Sequence, residues 1–172
     1  QMFTDTPVRV TMLYAKEVPP YGGDTLFANA ALAYDNLSDG MKAMLAGLKT
    51  RNQYNKKKPR AAAMKVEAVE EEAPQAIHPL VRVHRETGRN VIYISYDGIT
   101  RNIVGMTEEE SRPLLDYLRH HVARPEHTCR FRWREGTLGL WDNRSVQHLA
   151  INDYHGHRRV MHRITAGPEA SH

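Results

Sequence analysis

With Cys129 as its only cysteine, the 172-residue chain cannot close an intrachain disulfide, which excludes a disulfide-stapled scaffold and fits a reducing compartment. It also lacks an apolar run long enough to cross a bilayer. Residues 1–7 have neither the basic start nor the apolar middle of a secretory signal, so the expected location is cytoplasmic, with no membrane partner. Net charge is small as well, +4 from 24 Lys and Arg against 20 Asp and Glu. The one basic run, Lys56–Arg60, is followed by Glu67 and Glu70–Glu72, and Arg130, Arg132 and Arg134 have no interleaved exposed aromatics, so no nucleic-acid partner is expected. What is present, 41% hydrophobic and 26% charged residues, is globular composition, and the length suits one domain over residues 1–172.

Residues 9–18 are rich in strand formers and run into the turn signal Pro19-Pro20-Tyr21-Gly22-Gly23-Asp24. A short strand over 25–28 follows, then short helices over 30–37 and 40–48, with Ser38 or Asp39 as a cap and Met41, Met44, Leu45 and Leu48 spaced as core residues. The polar, alanine-rich stretch 52–75 carries charge runs of opposite sign and predicts a long loop acting as a mobile lid. A hairpin is expected from 79–85 and 90–96 around Glu86-Thr87-Gly88-Arg89. Thr107 and Glu110 read as a capping box for a helix whose apolar face is Leu114, Leu115, Leu118 and Val122. Cys129, Phe131 and Trp133 alternate with arginines as in a half-buried strand, and strands over 137–140, 146–151 and 158–165 complete a pattern of many short strands and few helices. That pattern predicts a sandwich or barrel.

The densest polar cluster is Trp141-Asp142-Asn143-Arg144 through His148, followed by Arg158-Arg159-Val160-Met161-His162-Arg163. Strand alternation places Arg159, Met161 and Arg163 on one face. Inward-facing guanidinium groups need anions, and a bidentate fit to a carboxylate points to a carboxylate-bearing cosubstrate, the alternative being a solvated outer face. His148 precedes Arg159 by eleven residues, enough for a strand to leave, turn at 153–156 and return antiparallel beside itself, bringing the two into one pocket. A hydrogen-bonded core histidine is the competing reading.

Four blocks stand in sequence order: Gly22-Gly23-Asp24-Thr25-Leu26-Phe27; His78-Pro79-Leu80-Val81-Arg82-Val83-His84 with Thr87-Gly88-Arg89; Trp141-Asp142-Asn143-Arg144 to His148; and Arg158 to Arg163. In these the chain resembles the taurine dioxygenase (TauD/TfdA) family of Fe(II)- and 2-oxoglutarate-dependent dioxygenases. The resemblance implies a mostly β fold with flanking helices, the double-stranded β-helix or jelly roll, incomplete at its N-terminus. It implies His148 as a metal ligand, Arg159 and Thr25 as the grip on the distal carboxylate of 2-oxoglutarate, and Arg163 nearer the metal, facing the 2-oxo acid end and the anionic head of the substrate. The implied reaction hydroxylates a small anionic organic substrate with O2, releasing succinate and CO2. Tyr96 and Ile99 fall where substrate-facing residues are expected. The family's His-x-Asp pair is not found. The only His-x-acid triplet, His84-Arg85-Glu86, sits in the hairpin turn, where the family has a non-ligand triplet. The chain is therefore expected to be the C-terminal part of a longer enzyme and inactive alone, the alternative being a catalytically inactive jelly roll that binds small anions. A homo-oligomer is left open.

Overall fold

The computed structural model describes residues 2–54, 73–95 and 98–168. In chain order the strands are β1 (Val8–Glu17), β2 (Thr25–Asn29), β3 (Lys49–Gln53), β4 (Gln75–Pro79), β5 (Val81–Val83), β6 (Asn90–Ile92), β7 (Thr100–Ile103), β8 (Thr128–Phe131), β9 (Leu138–Asp142), β10 (Val146–Ala150) and β11 (Val160–Pro168). The helices are α1 (Ala30–Asp35), α2 (Asp39–Leu45) and α3 (Glu108–Val122). The strands form sheets of order β11-β1-β9, β10-β2-β8 and β4-β3-β7, with β5 and β6 as a separate hairpin.

Cross-strand register decides which side chains face inward. In the first sheet Thr11 opposes Trp141 and Thr165, and Leu13 opposes Gly139 and Arg163, so these residues share a face. Thr11, Ala15 and Trp141 on that face are buried, whereas Leu138, Leu140 and Ile164 on the other face are exposed. In the second sheet Thr25 opposes Phe131 and Ala150, and Phe27 opposes His148, which puts all five on one face. The two inner faces meet: the Phe27 ring lies 5.2 Å from that of Trp141, and the Trp133 ring seats so close to Gly139 that a Cβ there would come within 2.6 Å of its Cη2. Two sheets packed face to face with helices outside are the jelly-roll arrangement.

The main apolar core lies beside this sandwich. Ala30, Ala31, Ala33 and Leu37 near α1, Leu45 of α2, and Leu115, Leu118 and Val122 of α3 pack with Leu80, Val91, Ile92, Ile94 and Ile103. Helix starts are set by polar caps. Asn29 accepts from the Ala31 and Leu32 amides, Ser38 from Met41, and Thr107 with Glu110 forms the expected reciprocal box. The hairpin closes with His84 and Arg89 bonded across Gly88, whose φ of 68° is the left-handed conformation a turn there requires.

Three expectations change, and a fourth falls mostly outside the described residues. The second helix stops at Leu45, and Lys49–Gln53 is a strand, not helix end and loop. Its inward residues are Thr50 and Asn52, both fully buried, so no apolar alternation marked it. Their polarity is satisfied internally: Thr100 Oγ1 donates to Asn52 Oδ1 at 2.7 Å, and Asn52 Nδ2 donates to the Thr50 carbonyl at 3.1 Å. Met44, expected in the core, is 57% exposed. Of the lid expected over 52–75, residues 55–72 lie outside the described residues, and the flanks are ends of β3 and β4. Finally, β10 and β11 are not neighbours in one sheet: β10 pairs with β2 and β11 with β1, so the connection crosses from one layer to the other. Among the described residues no helix is long and apolar enough to cross a membrane.

Candidate active site

Thr25 opens β2 in the inner layer and is 2% exposed. Trp133 Nε1 donates to its Oγ1 at 3.0 Å. Because the indole is only a donor, the hydroxyl is cast as acceptor there and its own proton remains available for a second partner. Two residues earlier, the Gly23 carbonyl accepts from Arg159 Nε at 3.1 Å. Arg159 enters just ahead of β11 after the crossing from β10, and its guanidinium lies 5.8 Å from the Tyr154 ring centroid. Its Nη2 is buried and has no hydrogen-bond partner among the described residues. A buried guanidinium nitrogen is costly without an acceptor, so this orphan donor marks a place for an anion.

His148 stands on the same face of the second sheet as Thr25, opposite Phe27, and is exposed. Its ring lies 4.8 Å from Trp141 and 6.4 Å from Phe27. Rings continue from there to Thr25: Phe27 is 6.2 Å from Phe131, which is 4.9 Å from Trp133. An aromatic lining thus joins the histidine to the threonine hydroxyl. Trp141 Nε1, also a donor only, is buried without a partner among the described residues. Arg163 sits on the inner face of the first sheet, across β1 from Gly139, and is exposed. Ile99 is half-buried before β7, and Tyr96 lies outside the described residues.

The His-x-acid triplet is engaged elsewhere. His84 Nε2 donates to Asp142 Oδ2 at 3.0 Å, Arg144 spans Asp142 and both oxygens of Glu86, and Arg9 also pairs with Glu86. Burial pushes the Asp142 carboxyl up, but the Arg144 and His84 hydrogen bonds outweigh it and hold it well below the usual carboxylate range. The hairpin turn is thereby tied to the β9–β10 turn that leads into the strand of His148. Among the described residues no three His, Cys, Asp or Glu side chains are grouped to hold a metal ion. His148 is thus at most one ligand, and the described residues do not fit a complete iron site. They do fit a dicarboxylate: donor-only groups at Arg159 and Trp141, and a hydroxyl at Thr25.

Sequence reasoning missed the residues that hold Arg159 in place. Gly23 N–H donates to Asp153 Oδ1 at 2.7 Å, and Arg130, expected on a plain basic outer face, donates to Asp24 at 2.7 Å and to Asp153 at 3.4 Å. The only local sign of this cluster was the Gly-Gly-Asp turn, since its partners lie more than 100 residues away.

Residues 1–165 match the family model described as taurine catabolism dioxygenase TauD, TfdA family. The alkylsulfatase of Acinetobacter baylyi is 33% identical over 180 residues, covering 98% of this chain and 55% of that protein. The alpha-ketoglutarate-dependent sulfate ester dioxygenase of Pseudomonas putida is 30% identical over 175 residues, covering 97% and 58%. Among solved structures, a taurine dioxygenase from Burkholderia xenovorans superposes with a TM-score of 0.83 at 36% identity, covering 97% of this chain and 55% of its own. The chain spans about half the length of the curated relatives it matches.

Proposed function

Because the chain belongs to the TauD, TfdA family of dioxygenases, we propose that it carries the 2-oxoglutarate grip of an Fe(II)- and 2-oxoglutarate-dependent dioxygenase that hydroxylates a small anionic organic substrate with O2, releasing succinate and CO2. The carrying observation is Arg159, whose Nε is held by Gly23 while its buried Nη2 has no partner among the described residues. In this reading Nη2 donates to the distal carboxylate of 2-oxoglutarate, and the Thr25 hydroxyl, fixed as acceptor toward Trp133, gives its proton to the same carboxylate. Arg163, on the inner face of the first sheet, faces the other end of the cosubstrate and the anionic head of the substrate. His148 would contribute one imidazole to iron, which when bound supplies the oxidising chemistry; the remaining ligands are not among the described residues. The rings from Trp133 through Phe131, Phe27 and Trp141 to His148 form an apolar wall along the path from Thr25 to the iron end. Substrates of relatives named for sulfate esters, sulfonates and 2,4-dichlorophenoxyacetate are all small anions, which supports the substrate class. The single free cysteine, which is exposed, supports a reducing, cytoplasmic setting.

The test is metal-free calorimetric titration with 2-oxoglutarate and with N-oxalylglycine. Arg159→Ala should weaken both by at least about tenfold, as expected for loss of a charge-assisted contact, and Thr25→Val by less. Equal affinity for the wild type and Arg159→Ala would remove the assignment. A second reading, a small-anion-binding module without oxidative chemistry, draws on the missing three-ligand group among the described residues. Oxygen-dependent succinate release by a form of the protein in which His148 is joined by a second histidine and a carboxylate decides between the two, since the described residues alone supply no three-ligand group.

A further inference from the structure

Gly22 and Gly23 have φ angles of 70° and 68°, two consecutive left-handed residues without side chains. Such a turn has little stiffness of its own, because glycine crosses between backbone regions with little steric penalty. Yet the carbonyl that holds Arg159 belongs to Gly23, so the aim of the guanidinium is only as well defined as this turn.

Three segments meet to define it. Asp153, from the β10–β11 connection, accepts the Gly23 N–H at 2.7 Å through Oδ1. The fit is close: a Cβ at Gly22 would come 2.5 Å from that oxygen, and one at Gly23 would lie 3.0 Å from Arg159 Cδ. Arg130 of β8 then bridges two carboxylates, donating from Nε to Asp24 Oδ2 at 2.7 Å and from Nη2 to Asp153 Oδ2 at 3.4 Å. One residue, Gly23, is therefore fixed through its N–H by Asp153 and through its carbonyl fixes Arg159. Asp153 and Arg130 have side chains 41% and 55% exposed, so neither is needed to fill the core.

We propose that Asp153, braced by Arg130, is a positioning residue: it clamps the Gly22-Gly23 turn so that the Gly23 carbonyl holds Arg159 in its dicarboxylate-binding rotamer before the ligand arrives. The proposal rests on the reading of Arg159 as the carboxylate grip. A long arginine side chain loses considerable rotamer freedom on binding, and a clamp that imposes this loss beforehand raises affinity without touching the ligand.

The experiment uses the metal-free chain and two readouts. The first is the dissociation constant for 2-oxoglutarate; the second is hydrogen exchange of the Arg159 Nε–H in proton–nitrogen spectra, assigned with Arg159→Lys, with the Arg144 Nε–H, bonded to Asp142, as internal control. Asp153→Ala should raise the dissociation constant about tenfold and unprotect the Arg159 Nε–H while leaving that of Arg144 unchanged. Asp153→Asn, which retains an acceptor for Gly23 but not the charge facing Arg130, should give a smaller rise of about threefold and partial protection. If Asp153→Ala does not fold, Arg130→Gln carries the same test, with an expected rise of about threefold. Unchanged affinity and unchanged Arg159 exchange in the folded variant would overturn the clamp. Should Arg159→Ala leave 2-oxoglutarate binding intact, the carboxylate-grip reading fails, while the exchange readout still decides whether Asp153 orders Arg159.

Discussion

Replacing Asp142 by alanine should be among the most damaging polar substitutions in the described chain. The Asp142 carboxylate, 26% exposed, accepts from His84 Nε2 at 3.0 Å, from the Arg144 amide at 2.8 Å and from the Arg144 guanidinium at 2.6 Å. Arg144 is only 11% exposed, so truncating its partner leaves a nearly buried cation. Breaking a buried pair in this way costs roughly 3–5 kcal/mol. Glu86 still holds Arg144 at 2.8 Å and water reaches part of Asp142, which brings the expected loss to about 2–3 kcal/mol. In a chain of this size that is a fall in Tm of roughly 4–12 °C. The assay is urea unfolding followed by tryptophan fluorescence, with Asp116→Ala as the control, since Asp116 makes a half-exposed pair with Arg119 whose loss costs under about 1 kcal/mol. The pH dependence has a definite sign. Asp142 is held ionised to lower pH in the folded chain than its usual value of about 3.9, so its contribution is complete above about pH 4 and disappears as pH falls through the folded value. The gap between wild type and Asp142→Ala should be constant from about pH 5 to 8 and narrow below about 4. Equal unfolding midpoints for Asp142→Ala and Asp116→Ala, or a gap that persists in strong acid, would refute the reasoning.

The remaining predictions concern the interior and the metal. Gly139→Ala places a Cβ 2.6 Å from Trp133 Cη2 and should cost about 1–3 kcal/mol in unfolding experiments, with weaker 2-oxoglutarate binding because Trp133 also fixes Thr25; adding Trp133→Phe should recover stability without recovering binding. Anaerobic titration of this chain with Fe(II) and 2-oxoglutarate should give no charge-transfer band, and addition of O2 no succinate, since the described residues hold no three-ligand group; a stoichiometric band would show that other residues complete the site.

The parts of the fold that were legible in the sequence are those whose signals are local. The α3 capping box, the hairpin turn about Gly88 and the run of strand formers in β1 need only neighbours within a few residues, and each appears where the pattern places it. The third sheet shows what local reading cannot reach. In β3 the buried positions are Thr50 and Asn52, and a polar inward residue reads as surface until its partner is known. That partner, Thr100, lies 48 residues away on β7. The layer change between β10 and β11 was hidden for a related reason: eleven residues between His148 and Arg159 suit a hairpin as well as a crossing, and only the prior claim of β1 on β11 and of β2 on β10 decides between them.

Three aspartates make the same point for the site. Asp24, Asp142 and Asp153 are alike in sequence, each beside a turn signal, and each meets an arginine, yet the consequences differ with the geometry of the pair. Asp142 meets Arg144 two residues on, a contact the sequence could have offered, and the pair secures the β9–β10 turn. Asp24 and Asp153 meet Arg130 across 106 and 23 residues, and the glycine amide that Asp153 accepts is 130 residues away. No spacing rule connects these groups. The Gly22-Gly23 pair announces a turn, but the requirement that both lack a Cβ is set by Asp153 on one side and the Arg159 stem on the other, so the constraint at residue 22 is written largely by residues beyond 150. Arg159 could be nominated from the residues around it; how it is held could be learned only from the closed fold.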